Sequence, residues 1–163
     1  MKRTEYKVTD FCSRADTSSG DADAVLTLGH SFRCGVLAST SSQEMYWSYA
    51  WQKLAKLSKN DKTADHLLSK LSLFIENVLT SSTRRLDILP NGCPSLCRDE
   101  CLAVSMIVAS QLGPCPALKA CAFALLENSH MEPCLSAALS FGSALKETGT
   151  TLSSTLLNDG LKW

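Results

Sequence analysis

Five residues form the most informative chemical pattern in this chain: Tyr46, Tyr49, Lys53, Lys56 and Lys59. On a helix advancing about 100° per residue with Trp47 at the origin, Tyr46, Tyr49, Lys53 and Lys56 fall together between about 180° and 260°. Trp47, Ala50, Trp51, Leu54 and Leu57 fall between about 280° and 40°, as a buried face would. Lys59 and Lys62 extend the positive charge, and no acid lies between Met45 and Asn60. Tyrosine offers large contact area at low entropic cost, and protein interfaces favour it. The flank is therefore expected to touch another protein, while Trp47, Trp51 and Leu54 are expected in the core. The same pattern also fits a solvated lysine face. A third reading is a single-stranded nucleic-acid face, with stacking tyrosines beside Lys53, Lys56 and Lys59 and with Arg84 and Arg85 joining them.

The second chemical feature is the cysteine set: Cys12, Cys34, Cys93, Cys97, Cys101, Cys115, Cys121 and Cys134. Cys97 and Cys101 stand one helical turn apart and could begin a zinc site, with further ligands from Cys115, Cys121, Cys134 or His130. The spacing is not the compact two-residue knuckle, and no second close pair exists. Cys97, Cys101, Val104 and Val108 also make one continuous face, which reads as core, since free cysteine packs as a small hydrophobe. A redox role is the remaining alternative. Cys97 lies near a helix start and beside Arg98, two features that lower a thiol pKa, which makes it the first thiol to test for reactivity.

Other chemistry is hard to find. Gly29-His30-Ser31-Phe32 has part of a hydrolase nucleophile elbow. Arg33 stands where that motif needs its second glycine, and the preceding residues read as helix rather than strand. His30, His66 and His130 are scattered and read as surface or capping residues. Carboxylates are dispersed, and there is no Gly-rich phosphate loop. No catalytic residues are assigned, and no cofactor is expected.

The elements that must hold these residues are helices. Apolar residues recur at spacings of 3, 4 and 7 from about Ala22 to Leu37, although Gly29 and Gly35 weaken that segment. Ser41 followed by Glu44 fits a capping box for the helix that carries the tyrosines, predicted to run to about Lys59. Leu67, Leu71, Phe74, Ile75 and Val78 stripe a third helix from Thr63 to Leu79. Pro94 suits the first turn of a fourth, with Asp99 and Glu100 complementing its dipole. From Cys101 to Leu112 nothing is charged, so this element belongs in the middle. Two more helices are expected over Pro116–Asn128 and Pro133–Glu147, the last capped by Gly149, with a final turn at 151–158. Ser13 to Asp23 reads as a loop. Residues 1–20 are expected as a mobile arm, and 21–163 as one all-α domain of six or seven helices joined by short loops.

Composition sets the outer limits. The chain has 163 residues, 45% hydrophobic and 20% charged, and its formal net charge is zero. It has material for a core, and no charge excess that would favour nucleic acid or a membrane surface. No apolar run approaches the ~18 residues of a membrane span. The basic N-terminus lacks the apolar stretch of a secretory signal. With these features the cysteines are expected to be mostly reduced and packed, in the cytoplasm. The expected function is that of a non-enzymatic helical protein, an adaptor, chaperone or inhibitor that binds another protein or a second copy of itself. A thiol- or zinc-dependent protein centred on Cys97 and Cys101 is the alternative.

Overall fold

The computed structural model describes residues 5–6 and 19–153, and it is an all-α fold of six helices. They are α1 (Ser19–Ser41), α2 (Met45–Ala55), α3 (Asp61–Ser81), α4 (Arg98–Ser110), α5 (Pro116–Leu126) and α6 (Glu132–Glu147). Glu5–Tyr6 (β1) and Leu96–Cys97 (β2) add one short antiparallel pair, Glu5 opposite Cys97 and Tyr6 opposite Leu96. The remaining predicted arm, residues 1–4 and 7–18, lies outside the described residues, as does 154–158 of the predicted final turn. Residues 151–153 are not helical. Residues 19–23, expected in a loop, are the first turn of α1.

Helix α4 is the centre of the fold. Every residue from Asp99 to Ser110 is buried, as expected for a helix without a polar face. It packs against α1, α5 and α6. Helix α3 closes the core from outside: Leu67, Leu71, Phe74, Ile75 and Val78 are fully buried, and the helix lies along α6. Each such side chain contributes about 1.5–3 kcal/mol on leaving water. The two glycines of α1 are places of close approach. A Cβ on Gly29 would meet Leu96 at 2.6 Å. One on Gly35 would collide with Ile75 Cδ1 and crowd Trp47 at 3.1 Å. What costs helix propensity lets α1 seat against β2, α2 and α3.

Several helix boundaries differ from the sequence reading, each for a local reason. Ser41 does not cap α2. It is the last residue of α1, and its hydroxyl donates back to the Leu37 carbonyl. Ser39 and Thr40 bond in the same way to Gly35 and Val36 at 2.9 and 2.8 Å. Three consecutive hydroxyls thus serve the end of α1 through bonds to carbonyls four residues back. Helix α2 begins only at Met45 and ends at Ala55, short of the expected Lys59. Asn60, expected to end that helix, caps the next one. Its Oδ1 accepts from the Thr63 backbone N–H at 2.8 Å, a cap worth about 1 kcal/mol. Helix α4 begins at Arg98 rather than near Pro94, because Leu96 and Cys97 are extended in β2. Gly149 ends α6 as expected, at φ 89° with its N–H on the Lys146 carbonyl at 2.9 Å.

The long connection 82–97 is held by two adjacent carboxylates at the start of α4. Glu100 receives Arg33 Nε and Nη2 at 2.8 and 2.9 Å, and also the backbone N–H groups of Leu89 and Cys97 at 3.0 and 2.9 Å. Arg33 turns its remaining donors to the carbonyls of Pro90, Cys93 and Ser95. Asp99 takes both Nη atoms of Arg84 at 2.8 and 2.7 Å and the Asp87 N–H at 2.7 Å.

Candidate protein-interaction surface on the second helix

Helix α2 is thinly covered. Ala50 and Leu54 are its only fully buried residues, and α1 and α3 flank it. Trp47 and Trp51, expected in the core, are half-buried. Trp47 lies against Gly35 of α1 as well as beside Leu68 of α3, and Trp51 lies on the α3 side. Trp51 Nε1 donates to Asp65 of α3 at 2.7 Å. The tryptophans and Leu68 line adjoining shallow hollows there, of about 330 and 500 Å³.

The predicted partner flank is on the other side. Tyr49 is 37% exposed and Met45 54%; Tyr46 is half-buried. The two tyrosine rings meet edge to face at 5.9 Å between centroids, an arrangement aromatic pairs favour. Lys56 and Lys59 are exposed. Lys59 stands beyond the helix end rather than on its face. Lys53 is half-buried, where α2 faces α1.

There the structure assembles residues that the sequence leaves apart. Lys53, Lys56 and Leu57 oppose Asp23, Ala24, Leu26, Thr27 and His30 across a cleft of about 470 Å³. His30 is half-buried, and its Nε2 is enclosed with no hydrogen-bond partner. Burial, then Arg33, then Lys53 push its pKa below the ordinary histidine value; Glu100 and the Cys93 backbone oppose them. This cleft was not foreseen. The helical pattern marked Lys53 and Lys56, but nothing local marked His30 as their neighbour. His66 and His130, by contrast, are exposed, as expected.

The arginines of the nucleic-acid reading do not join the lysines. Arg84 and Arg85 border a different hollow of about 600 Å³, with Val36, Leu37 and Thr40 from the C-terminal half of α1. Arg84 is already forked onto Asp99, and it pairs with Glu127 at 3.3 Å.

The cysteine site takes a different form from the one its spacing suggested. Cys97 lies in β2 and precedes α4, so it does not share a helical face with Cys101. Its thiol donates to the Asp87 carbonyl at 2.9 Å. Burial, with Glu100 next, pushes its pKa up to about 12. Cys97 is buried, as its reading as a packed core cysteine expects, and burial first, then Glu100, disfavours its thiolate. Cys34, Cys121 and Cys134 are buried free thiols; Cys93 and Cys115 are half-buried. Cys101 is buried as well. Among the described residues no three His, Cys, Asp or Glu side chains come together as metal ligands. Ser31 is buried inside α1 and donates to the Thr27 carbonyl at 2.7 Å. It therefore has none of the exposure that a nucleophile elbow provides.

Comparison of the chain with protein-family models, with curated proteins and with solved structures finds no match.

Proposed function

We propose that this is a non-enzymatic helical protein that acts by binding another protein through α2. The observation that supports this most directly is the exposure of large side chains on a thinly covered helix. Met45 and Tyr49 stand out beside half-buried Tyr46, Trp47 and Trp51, while Leu73 of α3 is 46% exposed. Aromatic and methionine side chains at such density are typical of the centre of an interface. Lys56 and Lys59 supply a polar rim. No helix among the described residues is long and apolar enough to cross a membrane. The buried free thiols support a reducing, cytoplasmic setting.

The test compares two variants. Tyr49→Ala leaves no cavity and is expected to change stability by no more than about 0.5 kcal/mol. It should weaken capture of the native partner by about 1–3 kcal/mol if Tyr49 is an anchor. Trp51→Ala removes a half-buried indole and its bond to Asp65, and is expected to cost about 2–3 kcal/mol of stability. If Tyr49→Ala destabilises as much as Trp51→Ala, the flank is core and the reading fails. Sedimentation of the isolated chain shows whether the partner is a second copy.

A further inference from the structure

We propose that the cleft between α1 and α2 receives a carboxylate, the glutamate side chain of an acidic segment in the protein partner. This rests on the reading of α2 as a partner surface. Charge is the first argument. Lys53, in the last turn of α2, and Lys56, its C-cap, stand three residues apart in a segment without acids, and neither belongs to any ion pair among the described residues. Asp23 lines the same cleft but pairs with neither lysine. Arg33 lies close enough to His30 to affect it, yet its charge is matched by Glu100.

Among the described residues the cleft thus holds two lysines against one aspartate, and burial disfavours the charged form of His30. That balance suits a single negative charge, whereas the second charge of a phosphate would face Asp23. Shape supplies the second argument. Ala24, Leu26 and Leu57 give an apolar wall for a short methylene stem, while Thr27, His30 and the lysines supply polar groups. At about 470 Å³ the space is in the range of small-ligand sites. Continuity is the third. Lys53 and Lys56 belong to the same flank of α2 as Tyr46 and Tyr49, so one acidic segment can reach both.

The full chain, labelled with ¹⁵N, is titrated with a blocked hexapeptide of glutamate and leucine, with its glutamine counterpart, with glutarate and with inorganic phosphate. The expected result is saturable shifts of the Thr27, His30, Lys53, Lys56 and Leu57 amides by the glutamate peptide, weakened by salt. The glutamine peptide and the Lys53→Gln/Lys56→Gln variant should each bind about tenfold more weakly or worse. Absent shifts, equal shifts with the glutamine peptide, or undiminished binding by the double variant overturn the proposal. Phosphate or glutarate binding as tightly as the peptide also overturns it, and identifies a free-anion site instead. Partner capture separates the two readings. A Tyr49-dependent partner that the double variant still holds refutes the cleft but keeps the α2 surface. Peptide binding in the cleft without any Tyr49-dependent partner refutes the α2 surface.

Discussion

Arg33 and Glu100, 67 positions apart, form a doubly hydrogen-bonded ion pair with almost no solvent access, their side chains 1% and 0% exposed. The pair links α1 to the first turn of α4, and it organises the loop between them. The carboxylate takes four donors, two from Arg33 and one each from Leu89 and Cys97, which uses its full accepting capacity. Complete satisfaction of this kind is what makes a buried charge tolerable.

Removing one member leaves the other charged and buried. Glu100→Gln and Arg33→Met are each expected to lower stability by about 3–5 kcal/mol. The double variant should lose less than the two losses added together, since it leaves no uncompensated charge. Denaturant unfolding of the four proteins measures this. Additive losses would mean that the two side chains act separately.

His30 makes stability depend on pH. Its folded pKa lies below the ordinary value of 6.5 through burial, Arg33 and Lys53, against the opposing influence of Glu100 and the Cys93 backbone. Between the two values the unfolded chain binds more protons than the folded one, so stability rises with pH. The contribution of His30 is fully present above pH 6.5 and is lost as pH falls toward the lower folded pKa. Unfolding measured across this window should show the loss in the native protein and less of it in His30→Gln. An unchanged profile would place the titration elsewhere.

The thiols should divide by burial. At pH 8, Cys97 and Cys121, with pKa values raised to about 12 and about 11, hold almost no thiolate and are shielded from solvent. Alkylation of the native chain should therefore modify Cys93 and Cys115 before Cys97 and Cys121, which it reaches only after denaturation. Peptide mass mapping after short exposures reads the order. Early labelling of Cys97 would contradict its burial and its bond to Asp87.

Gly35→Ala opposes two effects. Alanine gains roughly 1 kcal/mol of helix propensity, but its methyl collides with Ile75 and crowds Trp47. Overpacking of this kind costs about 1–3 kcal/mol, so the net effect is expected to be destabilising. Trp47 fluorescence should shift as the indole is displaced. A rise in thermal midpoint would show that α1 and α2 can part without cost.

The sequence by itself determined the helical class, the order of the helices, the apolar stripe of α3 and the central position of α4. Those properties follow from periodicity and from the absence of a polar face, and both are local along the chain. The helical projection of α2 also placed Tyr49 and Lys56 outside, although Tyr46 and Lys53 of the same flank are half-buried. The same projection failed for Trp47 and Trp51. It shows the direction in which a side chain points but not whether a neighbour stands there, and α2 has only flanking support. Ser41 and Asn60 were misread because two helix ends close together compete for the same polar side chains. The pairing of Arg33 with Glu100 and the meeting of His30 with Lys53 belong to tertiary structure alone. Each depends on groups far apart in sequence being excluded from water at one place, and no spacing rule encodes where distant helices will close over a charge.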